Sequence, residues 1–146
     1  MGSGSDRPVM EKAGQMLDRF GIESVTQVLS AHKTPDQAIA FAEGAAADGF
    51  QVIIAGAGKA AHLAGVMAAK SLLPVIGVPL SASLDGLDAL LSTVQMPTGI
   101  PVATVAVDGS TNAALLAVAI LAIDNAELRE KLSSYRTQLA ADTLAG

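Results

Sequence analysis

Three segments of this sequence are almost entirely apolar, and helix-length segments separate them. They read FQVIIAG (50–56), LPVIGVPL (73–80) and IPVATVAV (100–107). Strands that are hydrophobic on both faces must be covered on both faces, as in a parallel sheet that lies between two layers of helices. The alternation of such strands with helices therefore predicts an α/β fold with a parallel sheet.

The remaining segments show the patterns of helices and of one further strand. Helices are marked by helical spacing of apolar residues, by prolines that begin them and by glycines that end them. They are predicted over residues 9–20, 35–48, the stretch that follows the loop at 56–65 and reaches about 71, 86–96, 111–122 and 125–141. The segment SVTQVLS (24–30) alternates like a strand. We see no repeat or linker, and 146 residues suit one domain, residues 1–146.

The composition restricts the kind of core, the binding partners and the cellular compartment that we expect. Apolar residues make up 51% of the chain but aromatic residues only 3%, so we expect small side chains that let helices and strands approach closely. The net charge is −5 and the nine Lys and Arg residues are scattered, which argues against a nucleic-acid surface. With no cysteine, no signal-peptide pattern and no bilayer-length apolar run, we expect a cytoplasmic protein without a membrane partner.

The loop SAHKTP (30–35) follows the strand predicted over 24–30 and contains one of the two histidines of the chain. Ligands of parallel α/β sheets bind at the carboxyl ends of the strands. Because imidazole titrates near neutral pH, His32 is a candidate proton carrier. The alternative is an ordinary loop histidine.

The second histidine, His62, lies in the loop GAGKAAH (56–62). It is a candidate functional residue or a structural residue at the start of a helix. Two glycines in this loop would let a planar group lie against bare backbone. The loop also matches the dinucleotide fingerprint G-x-G-x-x-A, but the next strand lacks the acidic residue that accompanies it, so we keep that interpretation only as a weak alternative.

The stretch GSGSD (2–6) offers backbone amides, two hydroxyls and a carboxylate ahead of the first helix. It is a candidate anion-binding loop, and a helix N-cap is the alternative. Two histidines without an accompanying acidic cluster make a poor metal site, so we predict no metal.

Taken together, five segments of this sequence resemble the PurE family of purine biosynthesis, the N5-carboxyaminoimidazole ribonucleotide mutases. These segments are MGSGSD, SAHKTP, VIIAGAGKAAHLAG, LPVIGVP and VQMPTGIPVATV, and they occur in the family's order along essentially the whole chain. The resemblance implies a flavodoxin-like three-layer fold and assembly as a homo-octamer. It also implies transfer of a carboxylate from N5 to C4 of the aminoimidazole nucleotide without a cofactor.

The resemblance also implies roles for particular residues. The implied substrate-binding residues are Ser3, Ser5, Asp6, Ser30, Ala31, Lys33, Ala57, Gly58 and His62. The first three match contacts to phosphate and ribose, Ser30 and Lys33 match further phosphate contacts, and Ala57 and Gly58 match the backbone that faces the ring and carboxylate. His32 matches the general acid/base that shuttles a proton between N5 and C4.

The sequence departs from the mutase pattern at several places. Lys33 replaces an Arg, Lys59 replaces a Gly and Ala64 replaces a Pro. The pattern also has a strand before MGS that this sequence does not contain, so we expect unpaired ladder groups in the sheet. Direct carboxylation of aminoimidazole ribonucleotide with CO2 and a non-catalytic nucleotide-binding module therefore stay open as alternatives.

A separate pattern concerns assembly. The segment TNAALLAVAILA (111–122) is apolar around most of its helical circumference. A single sheet face would leave part of it uncovered, so we expect a large homo-oligomer.

Overall fold

The predicted parallel sheet is present, and a computed structural model describes it together with all 146 residues of the chain. The elements, in chain order, are α1 (Arg7–Arg19), α2 (Pro35–Gly44), β1 (Ile53–Gly58), α3 (Leu63–Lys70), β2 (Val75–Leu80), α4 (Leu87–Val94), β3 (Ala103–Thr104), α5 (Ser110–Leu121) and α6 (Ala126–Ala145). Short 3-10 turns cover Gly4–Asp6 and Leu84–Gly86. No helix is both long enough and apolar enough to span a membrane.

The strands are parallel and lie in the order β1-β2-β3. Strand β2 is buried along its whole length, which explains its continuous apolar sequence. Its residues Ile76, Val78 and Leu80 pack into a core that includes α1 and α5. Val75, together with β1, packs into a second core with α2 and α3. Helices thus cover both faces of the sheet, and the α/β three-layer class is confirmed.

Small residues bring these layers close together, as the composition predicts. A Cβ on Gly77 would lie 2.9 Å from Val102 Cγ1, and closer still to Thr93 Cγ2 on α4. Side-chain atoms cannot approach so closely, so glycine is needed where α4 crosses β2.

The strand predicted over residues 24–30 is wrong. Within 23–29, only two backbone groups are paired, and both pair with Met1. The Met1 ammonium donates to the Gln27 carbonyl (2.8 Å) and the Leu29 N–H donates to the Met1 carbonyl (2.8 Å). Met1 and Gly2 lie between this segment and β1, because the Gly2 N–H donates to the Gly56 carbonyl at 2.9 Å. No longer partner strand is present there, so no ladder forms.

The boundaries of other elements differ less from the predicted ones. Of IPVATVAV only Ala103–Thr104 pairs as a strand; Pro101 cannot donate to a ladder. Beyond β3 the chain keeps contact with β2 through isolated bonds, including one from Asp108 N–H to the Pro79 carbonyl. Helix α2 ends at Gly44 rather than 48, and α6 extends to Ala145.

Candidate active site

The loop GSGSD lies against the carboxyl end of β1. The Gly2–Gly56 hydrogen bond fixes its start, and a Cβ on Gly2 would lie 3.7 Å from Ala57 Cβ. The structure therefore places Ser3, Ser5 and Asp6 beside the AGAG backbone, although the two stretches are about fifty residues apart.

Within this loop the polar groups form a capping box. The Ser3 hydroxyl accepts from Ser5 N–H (3.3 Å), and Asp6 Oδ2 accepts from Ser3 N–H (2.9 Å). The Ser5 hydroxyl donates to the Ser3 hydroxyl at 2.9 Å. The N-cap interpretation of this stretch is therefore correct, and Ser5 is an exposed residue.

The SAHKTP loop is a tight turn held by its own side chains. The Ser30 hydroxyl accepts from the N–H groups of His32 (3.4 Å) and Lys33 (3.1 Å). The Ser30 N–H donates to Thr34 Oγ1 at 2.8 Å, a contact that the sequence analysis missed. Pro35 then begins α2. Ser30 thus positions the backbone of His32, while the half-buried Ala31 packs against the α2 and α3 core.

The two histidines of the chain meet. His32 Nε2 lies 2.8 Å from His62 Nδ1, and the rings are edge-on, with centroids 4.9 Å apart and planes at 74°. A hydrogen bond needs one donor and one acceptor, so this pairing excludes two cationic rings at once. Both rings are exposed. One proton therefore bridges the two imidazoles at the surface of the loops.

A cation and a carboxylate border the same edge of the sheet. Lys59 adopts a φ of 56°, in the left-handed region that favours glycine, which accounts for the Gly of the mutase pattern at this position. A hydrogen bond from Ser83 lowers the pKa of Asp88, and the nearby Lys59 ammonium lowers it further. Asp88 and Ser83 were not predicted from the sequence, in which the only signal was the unusual Lys59.

The other predicted substrate-binding residues make no hydrogen bonds to the histidine pair. Lys33 is exposed and pairs with no carboxylate. Ala57 and Gly58 are half-buried at the end of β1. No hydrogen bond joins Ser3, Ser5 or Asp6 to the histidine pair. No group of three or more metal-ligating side chains gathers anywhere in the chain.

Comparison with known proteins identifies the family. The model of AIR carboxylase (AIRC) matches residues 1–142. The chain belongs to the AIR carboxylase family. It is 55% identical over 140 residues to an N5-carboxyaminoimidazole ribonucleotide mutase of Pyrococcus abyssi, covering 95% of this chain and 80% of that protein.

Two further members bear on the function and the fold. A chloroplastic phosphoribosylaminoimidazole carboxylase of Vigna aconitifolia is 54% identical over 137 residues, which are 93% of this chain and 25% of that protein. The crystal structure of Treponema denticola PurE superposes with a TM-score of 0.88 at 31% identity, over 99% of this chain and 91% of that one. The flavodoxin-like fold that the resemblance implied is confirmed.

Proposed function

We propose that this chain is an N5-carboxyaminoimidazole ribonucleotide mutase of purine biosynthesis, with His32 as its general acid and base. Family relatives with that name are 49% to 56% identical over most of the chain. The observation that carries the proposal is the His32–His62 hydrogen bond at the carboxyl end of β1, because the reaction requires one mobile proton there.

The proposed reaction balances with that single proton. The bond between N5 and the carboxylate carbon breaks and releases CO2, and N5 takes up a proton. C4 then attacks CO2, forms the new C–C bond and loses its own proton. His32 gives the first proton and takes the second. The His32 ring keeps its hydrogen bond to His62 both before and after it gives up that proton. The pocket's contribution is to hold CO2 near C4 and to exclude water.

The substrate contacts are proposed from the resemblance and from the loop geometry. Ser3, Ser5 and Asp6 bind the phosphate and ribose, and Ser30, Ala31 and Lys33 line the same nucleotide from the second loop. The half-buried backbone of Ala57 and Gly58 faces the ring. His62 contacts the substrate beside His32. The unpaired ammonium of Lys33 supports its assignment to phosphate, since no carboxylate of the chain neutralises it.

We also propose that the enzyme is a cytoplasmic homo-octamer. Helix α5, the helix predicted to drive assembly, is already partly covered by α1 and the sheet. A second apolar surface lies on α4, where Leu87, Leu91 and Val94 are 55%, 48% and 47% exposed. Residues spaced in this way share one face of a helix, and such a face fits an interface between copies.

Direct carboxylation of aminoimidazole ribonucleotide is the second candidate. It is favoured by Lys33, which departs from the Arg of the mutase loop, and by the carboxylase name of the Vigna aconitifolia relative. The third candidate, a nucleotide-binding module without activity, would leave the histidine pair without a catalytic role.

One assay separates the three. The chain is given N5-carboxyaminoimidazole ribonucleotide in CO2-depleted buffer, and separately aminoimidazole ribonucleotide with and without bicarbonate. Formation of the C4-carboxylated product from the first substrate alone supports the mutase. A strict requirement for bicarbonate with the second substrate supports the carboxylase, and binding without product in either supports the module.

A further inference from the structure

Lys59, the residue that follows β1, has a backbone conformation that suits glycine and not lysine. Its φ of 56° lies in the left-handed region, where the Cβ of an L-residue crowds the backbone. Strained residues of this kind persist only where the surrounding structure holds them, and they cluster at functional sites. The presence of a lysine at this position therefore points to a function of its side chain.

Lys59 lies between two parts of the proposed active site. It directly follows Gly58, whose backbone we assign to the ring of the substrate. The chain after β2 packs against that backbone, because a Cβ on Gly58 would lie 2.8 Å from Ala82 Cβ. His62 of the histidine pair is three positions further along, so its Cα lies within about 11 Å of the Lys59 Cα. A lysine side chain at this position can reach a group bound beside the ring.

The Lys59 ammonium lies near Asp88 but forms no ion pair with it. It is close enough to contribute to the lowered pKa of that carboxyl. Both Asp88 oxygens already accept other hydrogen bonds, Oδ2 from the Ser83 hydroxyl and Oδ1 from the Ala89 N–H at 2.9 Å. Lys59 is exposed and donates no hydrogen bond within the chain. Its three N–H donors are therefore available to a bound anion.

The charges of the loops match the charges of the substrate in the proposed reaction. Two lysines and no arginine occur in the loops of the proposed site and the segment after β2, which are residues 2–6, 30–34, 58–62 and 81–86. These lysines are Lys33 and Lys59, and neither forms an ion pair. The substrate has two anionic groups, the phosphate and the carboxylate that is transferred. Lys33 is assigned to the phosphate, which leaves Lys59 for the carboxylate.

We propose that Lys59 binds the carboxylate that the reaction transfers, and thereby makes this chain selective for carboxylated aminoimidazole nucleotides over the uncarboxylated one. This inference rests on the proposed function. The carboxylate is on N5 in the substrate and on C4 in the product, and an ammonium on a flexible four-carbon stem can contact it in both positions. Because the uncarboxylated nucleotide lacks this anion, Lys59 contributes nothing to its binding.

The test compares two nucleotides that differ only in the carboxylate. The probes are 1-(5-phosphoribosyl)imidazole and its 4-carboxylate, which lack the amino group and so cannot exchange a carboxylate with it. Isothermal titration calorimetry measures the Kd of each probe for the full chain and its variants. Lys59→Gly and Lys59→Gln should each weaken binding of the carboxylated probe by about tenfold and leave the other probe unchanged. Lys59→Arg should retain the selectivity, and Lys33→Ala, the control, should weaken both probes equally.

Lys59→Gly also separates a binding role from a structural one. Glycine suits the φ at this position, so the midpoint of urea unfolding should be equal or higher. A lower midpoint, with equal weakening of both probes, would show that Lys59 only supports the chain near Asp88 and would overturn the proposal. Unchanged affinity for the carboxylated probe would overturn it as well. If the unmodified chain binds neither probe, the proposed function itself fails, whereas binding of both probes without a selective effect of Lys59 refutes this inference alone.

Discussion

His32 Nε2 and His62 Nδ1 lie within hydrogen-bond distance, although thirty positions separate the two residues in the chain. The contact joins the SAHKTP loop to the residue just before α3. Each ring therefore holds the other in a set orientation.

The first prediction concerns this pair. His32→Asn keeps a polar side chain but cannot carry a proton, so kcat should fall by about 10²- to 10⁴-fold while nucleotide affinity changes little. His62→Asn should lower kcat less, because it removes the partner and not the carrier. Steady-state kinetics and nucleotide titration measure both effects. Near-normal kcat in His32→Asn would remove that residue from the mechanism.

A second prediction concerns the unpaired Lys33. Lys33→Ala should weaken nucleotide binding by about 1–3 kcal/mol, the range of a charge-assisted hydrogen bond. Lys33→Arg should retain or improve affinity, because Arg adds a bidentate fork for phosphate. The loss should appear mainly in KM, since phosphate is held equally in the ground and transition states. Equal affinities for all three side chains would show that Lys33 does not touch the nucleotide.

Gly77 provides a test of the packing between α4 and β2. Gly77→Ala would push a methyl group against Thr93 and Val102 and should destabilise the fold by about 1–3 kcal/mol. Gly14→Ala is the matched control, because a Cβ on Gly14 in α1 meets nothing within 4 Å. That change should stabilise the fold by about 0.5–1 kcal/mol. Urea denaturation measures both, and similar midpoints for the two variants would contradict the packing argument.

The Ser83–Asp88 hydrogen bond predicts a pH effect. It is the main cause of the lowered pKa of Asp88. A lowered carboxyl pKa stabilises the folded chain above the pKa of the unfolded carboxyl, and that stabilisation is lost as pH falls through the folded pKa. Ser83→Ala should raise the pKa of Asp88 toward its ordinary value, as followed by carbon NMR. Lys59→Gly, the control, should raise it less, and the reverse order would refute the assignment of causes.

The Met1 ammonium predicts a pH effect in the same direction but in a higher pH range. Burial lowers its pKa, although Asp6 acts against this shift. The unfolded chain therefore holds more protons, and stability should rise with pH from the lowered pKa up to that of a free amine, about 8. Acetylation of Met1 removes the charge, so the acetylated chain should lack this rise. Thermal unfolding of both forms across that pH range measures the effect. The same stability profile for both forms would argue against a buried charge.

The sequence predicted the elements whose signals are local. The apolar runs of β1 and β2 and the proline that begins α2 depend on residues within each segment, and these predictions are confirmed. The prediction for segment 24–30 failed because a strand exists only with a partner, and only Met1 pairs with this segment. The strand β3 was overestimated for a similar reason, since Pro101 and its neighbours lack ladder bonds.

For the site, the sequence predicted that the two histidine loops lie at strand ends but not that the rings touch. That contact depends on how β1 and α2 place their loops, which no local pattern encodes. The proximity of Lys59 to Asp88 was missed for the same reason, since it depends on a left-handed turn after β1 and on the path of the chain after β2. The substrate roles of Ser3, Lys33 and the other loop residues stay predictions.

The backbone of residues 23–29 is hydrogen-bonded through Met1 alone, which has a consequence for denaturation. Local opening breaks only those two backbone bonds and the packing of Leu29 against the core, whereas β2 lies inside the sheet. This segment leads directly into the loop that contains His32, so its release would separate the two imidazoles while the rest of the sheet remained folded. We therefore expect activity to decline at urea concentrations well below the midpoint of global unfolding, with the amides near His32 exchanging first.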